Sequence, residues 1–126
     1  MEEAILLKAG ELGKLLFSSE AGEDYRRTRE AVYSDAGLAA LLERQEMLRI
    51  KSEGEALSLG KPREETENER IKLSELLQFS DAASRYLLAE YRYTALMDSV
   101  YRLIGQEAGL RLPGGFASHE SGNSSN

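Results

Sequence analysis

The chain has 126 residues, with 22 acidic and 16 basic side chains, a net charge of −6 and no cysteine. The missing cysteine excludes disulfides, zinc–thiolate sites, cysteine-held iron–sulfur clusters and thiol nucleophiles together, and the acidic balance disfavours strong nonspecific binding to nucleic acid. Ala, Leu, Glu, Arg and Lys dominate and there are only two prolines, which points to one all-α domain; a domain this short buries at best about two-thirds of its unfolded surface, so leftover apolar stripes tend to become contacts between copies.

The chain opens with two glutamates rather than a basic leader, and no apolar run approaches the ~20 residues that span a bilayer. A cytoplasmic protein without membrane insertion is expected. Ile5, Ala9, Leu12 and Leu16 recur at helical spacing, predicting a first helix over Glu2 to Phe17. Ser18 and Ser19 then offer N-caps. The second helix is expected from Glu20 to Tyr33, with Glu20, Glu23 and Asp24 near its positive end and Ala21, Tyr25, Thr28 and Val32 on its inner face.

Ser34 and Asp35 interrupt that helix and can cap a third. Leu38, Leu41, Leu42, Gln45 and Leu48 pattern its first half well, but Ser52, Gly54 and Glu55 weaken the face beyond. The helix is expected to run to Ser58 with a projecting or frayed far end. Gly60, Lys61 and Pro62 form the clearest break, since glycine ends a helix in a left-handed conformation and proline tolerates a first turn. A helical hairpin turn follows from them. Glu64, Glu65 and Glu67 open a fourth helix, and Leu73, Leu76 and Leu77 give it an apolar face.

Ser80 and Asp81 start a fifth helix, over which Tyr86, Ala89, Tyr93, Leu96, Val100 and Leu103 repeat at alternating spacings of three and four. Such a stripe packs lengthwise against other helices. After Gly105 the pattern decays through Gly109, Pro113, Gly114 and Gly115, with Leu110, Leu112 and Phe116 still able to dock. Residues 113–126 read as a flexible Gly- and Ser-rich tail.

The order of these pieces resembles the YlbF/YmcA family of small bacterial helical proteins, the control-of-competence regulators, over about residues 3 to 112. The resemblance rests on the opening Ile5-Leu6-Leu7-Lys8-Ala9-Gly10-Glu11-Leu12-Gly13, the Ser34-Asp35 break before Leu41-Leu42, the Gly60-Lys61-Pro62 turn, and Tyr86-Leu87-Leu88-Ala89-Glu90. It implies an oligomeric, non-enzymatic regulator of competence, biofilm formation and sporulation. It also implies a complex with family paralogues or RNase Y and a link to messenger-RNA processing. Members of that complex are associated with iron–sulfur clusters and cysteine ligands, which this chain lacks, so no cofactor is expected here.

No other motif carries chemistry. His119-Glu120 has no second histidine one turn on, as a zinc-protease pattern requires. Glu64, Glu65, Glu67 and Glu69 lack the histidines of a di-iron bundle site and read as a solvated face. Gly60-Lys61 lacks the Ser or Thr and the first glycine of a phosphate loop. Arg26, Arg27 and Arg29 lie among Glu23, Asp24 and Glu30 and read first as partners in intrahelical charge pairs. Tyr91 and Tyr101, beside Arg85, Arg92 and Arg102, fall on a stripe next to the apolar one.

The expectation is therefore an elongated hairpin or bundle of about five helices, with one domain over residues 1–112. It self-associates as a dimer or tetramer through Leu12, Leu16, Leu41, Leu48, Tyr86, Ala89, Tyr93, Leu96, Val100 and Leu103. Catalytic residues and metal ligands are not expected. Arg26, Arg27, Arg29, Arg85, Tyr91, Arg92 and Tyr101 are the candidate partner surface for an adaptor acting by protein–protein interaction. The alternative is an RNA-binding accessory factor, in which the same arginines meet phosphates.

Overall fold

A computed structural model describes residues 1–110. Five helices follow in chain order: α1 Glu2–Ser18, α2 Glu20–Tyr33, α3 Ala36–Leu59, α4 Glu64–Gln78 and α5 Asp81–Ala108. The all-α architecture expected from the sequence is the observed one. Leu112, Phe116, His119 and the tail from residue 113 lie outside the described residues.

Local chemistry sets the helix boundaries. Ser19, Asp35 and Ser80 each accept a backbone N–H from the residue three positions on, at 3.1 Å in every case, which satisfies one of the donors a helix start leaves open. Gly60 ends α3 at φ 88°, in the left-handed region that only glycine enters without cost. Pro62 sits two residues before α4 rather than in its first turn.

The chain divides into two compact units, Met1–Ala89 and a stretch beginning at Glu90. The core of the first unit joins Val32 of α2, Leu42 and Leu48 of α3, Leu73 and Leu77 of α4, and Ala83 and Tyr86 of α5. Each large aliphatic side chain buried this way contributes roughly 1.5–3 kcal/mol before entropy is counted. Tyr86 stands 5.8 Å from the Tyr25 ring and meets the Tyr33 ring edge-on at 6.1 Å, an arrangement that suits the aromatic quadrupole. Leu76, expected on the apolar face of α4, is instead exposed, because Leu73 and Leu77 already occupy the side facing α3.

The far end of α3 does not fray. It remains helical to Leu59, and polar contacts to α4 replace the missing apolar ones. Ser52 Oγ donates to Glu67 Oε2 at 2.9 Å, and Arg70 Nη1 donates to the same oxygen at 2.9 Å. One Glu55 oxygen accepts the Arg63 backbone N–H at 2.9 Å and the other accepts the Thr66 hydroxyl at 3.0 Å. Glu55 thus does for α4 what a capping side chain does, from across the turn. Arg44 adds a fork to Glu69 Oε2 at 3.0 and 2.5 Å. Glu67 and Glu69, read from sequence as a solvated face, are therefore ties between α4 and α3.

In the second unit, α5 continues to Ala108 and stops at Gly109, φ 72°, with the Leu110 N–H donating to the Gly105 carbonyl at 3.0 Å. That bond satisfies one of the open carbonyls at the helix end.

Candidate functional site

α1 is the helix with no fully buried residue. Leu12 and Leu16 of its predicted stripe are half-buried, whereas Ile5, Leu6, Leu7, Leu15 and Phe17 are each more than half exposed. A helix that keeps this much apolar surface in water marks a contact surface more often than a structural accident.

The corner that follows α1 is closely built. Ser19 Oγ donates to the Leu16 carbonyl at 2.6 Å. Arg26 donates through Nη1 to the Phe17 carbonyl, and its guanidinium carbon lies 3.6 Å from the centroid of the Phe17 ring. A cation and a donor are thus placed at the negative end of α1. Gly22 is buried here, and a Cβ on it would stand 2.4 Å from the Leu16 oxygen and 2.7 Å from the Phe17 oxygen. Sequence reasoning missed this residue. The available signal was a glycine in the first turn of a helix, three residues past a serine cap.

The three arginines of α2 take three different partners. Arg27 alone makes the expected intrahelical pair, with Asp24 Oδ1 at 2.5 Å. Arg26 serves the α1 corner, and Arg29 stacks with its guanidinium carbon 4.6 Å from the Tyr33 ring centroid. Arg26 and Arg29 line one open hollow of about 410 Å³ together with Glu30, Tyr33 and Ser34.

A second open hollow, of about 480 Å³, lies at the tip of the α3/α4 hairpin beside Lys51, Glu55, Arg63 and Thr66. Its Glu55 carboxyl is held below the ordinary carboxylate range, chiefly by the Arg63 backbone N–H and then by the Thr66 hydroxyl. Glu67 is lowered by Arg70 and Ser52. These groups satisfy one another across the hairpin, as structural contacts do.

Of the residues read as core or self-association positions, Leu48, Tyr86 and Ala89 are buried, and Leu41, Tyr93, Leu96 and Val100 are half-buried. Leu103 is 58% exposed. Arg85, Tyr91, Arg92 and Tyr101 are exposed on α5. Arg85 falls in the first compact unit and the other three in the second. Among the described residues no group of three His, Cys, Asp or Glu side chains could hold a metal ion. With cysteine absent from the whole chain, its residues do not fit an iron–sulfur cluster. No described helix is long and apolar enough to cross a membrane.

Comparison with known proteins agrees with this architecture. No curated protein matches the chain in sequence. Among solved structures, Bacillus subtilis RicA, crystallised in complex with RicF, is similar in fold with a TM-score of 0.60 at 18% identity. The match covers 86% of this chain and 96% of RicA. The model of the family described as control of competence regulator ComK, YlbF/YmcA, matches residues 5–107, so a match spanning most of the five-helix chain places it in the YlbF/YmcA family.

Proposed function

We propose that this protein is a non-enzymatic regulator that works by docking onto protein partners, either further copies of itself or family paralogues, through the exposed apolar residues distributed around α1. The observation that carries this reading is the exposure of Ile5, Leu6, Leu7, Leu15 and Phe17 on a helix that buries none of its residues fully. Two facts support it. The family is described as a competence regulator, and RicA, similar in fold, is found in complex with RicF. On this reading the chain acts as an adaptor in competence, biofilm formation and sporulation, with RNase Y as a candidate member of the assembly.

The test is a pair of charged substitutions, Leu6→Glu and Leu15→Glu, at exposed positions where the protomer fold does not depend on the side chain. Solution mass is measured by sedimentation, and partners are recovered by tagged pull-down from native lysate with and without ribonuclease. The expected result is an unchanged far-UV spectrum, a fall in mass, and loss of partners that survive ribonuclease. An unchanged mass together with unchanged partners would sink the proposal. Partners recovered only when RNA is intact would favour the accessory-factor alternative.

A further inference from the structure

Among the described residues, Arg27, Arg44, Arg49, Arg63 and Arg70 each lie against a carboxylate. Arg26 and Arg29 do not. Their guanidinium groups rest instead on the rings of Phe17 and Tyr33, and both line the same open hollow on α2. From this arrangement we infer a carboxylate-binding site: the Arg26/Arg29 hollow receives an aspartate or glutamate side chain from an acidic segment of a protein partner. The inference rests on the adaptor reading and specifies the chemistry of one contact.

Three features fit the hollow to that ligand. An arginine laid on an aromatic ring has its side chain ordered in advance, and its remaining N–H groups can meet a planar carboxylate: the whole guanidinium edge of Arg29, and for Arg26 the N–H groups other than the Nη1 donor held by the Phe17 carbonyl. The Tyr33 ring beneath Arg29 is itself braced edge-on by Tyr86 at 6.1 Å, and Arg26 is fixed by the Phe17 carbonyl. Little additional freedom is therefore lost on binding. Ser34 already donates its hydroxyl to the Ala31 carbonyl at 2.9 Å, so the side-chain donors left in the lining are the two arginines and the Tyr33 hydroxyl.

The surroundings favour a carboxylate over a nucleic-acid strand. Glu30 lines the hollow without pairing to either arginine, Glu23 and Asp24 lie one turn away in sequence, and the whole chain carries −6. A strand bearing a charge at every phosphate would run its neighbouring charges over this acidic surface. A flexible acidic peptide reaches the two arginines with one side chain and can turn its other carboxylates outward to solvent, whereas a nucleic-acid backbone carries its charges along the surface. The charge of Glu30 repels an incoming carboxylate without pairing to the arginines, so its neutralisation should strengthen the site.

The experiment titrates the full-length protein with hexaglutamate, and separately with hexaglutamine, at about 0.1 M salt, where exposed charges beyond ~10 Å are screened. The readout is the NMR shift of the arginine Nε–H groups. The proposal expects saturable shifts at Arg26 and Arg29 with hexaglutamate and none with hexaglutamine. Arg29→Gln, at an exposed position, should keep the fold and weaken binding about tenfold, with Arg29→Lys in between. Glu30→Gln should tighten binding about twofold to fivefold.

The proposal is overturned if hexaglutamine acts like hexaglutamate, if the shifts fall on Arg85 and Arg92 instead, or if Arg29→Gln binds as tightly as the parent. It is also overturned if an RNA oligonucleotide of equal charge saturates Arg26 and Arg29 at lower concentration than hexaglutamate. A lost peptide response beside the expected α1 result would remove this site and leave the adaptor reading in place.

Discussion

Replacing Gly22 with alanine forces a methyl carbon to 2.4 Å from the Leu16 oxygen and 2.7 Å from the Phe17 oxygen. Both obstructing atoms are backbone, so no side chain can rotate away. The end of α1 must withdraw by about 1 Å to regain ordinary contact. Overpacking of this kind costs about 1–3 kcal/mol. The withdrawal also weakens the hydrogen bonds from Ser19 to Leu16 and from Arg26 to Phe17, each worth about 0.5–1.5 kcal/mol net. Against this stands the helical preference of alanine over glycine, at most about 1 kcal/mol.

The sum is a net destabilisation of about 1–3 kcal/mol, read as a lower urea midpoint at an unchanged slope. Gly54→Ala supplies the contrast. A Cβ there meets nothing within 4 Å, so the same chemical change inside α3 should stabilise by about 0.5–1 kcal/mol. Opposite signs for the two variants are the expected outcome. If Gly22→Ala proves as stabilising as Gly54→Ala, the close approach of α2 to the end of α1 is not a feature of the folded protein and the reasoning fails.

Leu77→Ala empties a site that is 1% exposed at the meeting of α3, α4 and α5 and should cost about 3–5 kcal/mol; a loss under about 1 kcal/mol in chemical unfolding would show that this leucine does not occupy the core. The α3/α4 contacts also predict an acid dependence. Glu55 and Glu67 are lowered from 4.5 in the fold, so the stability they add is fully present above pH 4.5 and is lost as pH falls through their lower folded values. Glu55→Gln should therefore be less stable than the parent at neutral pH and show a smaller loss on acidification. Parallel curves of urea midpoint against pH for the two proteins would refute the assignment.

Helix boundaries were the most legible part of the fold, because short-range chemistry sets them. Ser19, Asp35, Gly60 and Ser80 each act within three or four residues of their own position, and no knowledge of tertiary neighbours is needed to place them. The second half of α3 was not legible. Ser52 and Glu55 look like defects in an apolar stripe until Thr66, Glu67 and Arg63 are brought opposite them, and that pairing depends on how the hairpin closes. The arginines of α2 show a similar limit. Helical spacing offered each of them an acidic neighbour, yet only Arg27 uses one, since the Phe17 ring and carbonyl and the Tyr33 ring present competing surfaces. Gly22 was invisible for the same reason: its meaning lies in the approach of another helix end. Leu103 belongs to the stripe by spacing and yet is mostly exposed, because periodicity identifies a face without saying how far along the helix that face is covered.

The division of α3/α4 into a leucine half and a hydrogen-bonded half also settles how the two helices align along their length. Leucines that meet leucines tolerate sliding by one helical turn, about 5.4 Å, since one apolar contact can be exchanged for another. The bonds of Ser52 to Glu67 and of Thr66 to Glu55 have no such equivalents. A slide of one turn would leave the Thr66 hydroxyl, at 3% exposure, facing no acceptor in a place water barely reaches. The apolar half supplies adhesion that is indifferent to axial position, and the polar half admits a single register.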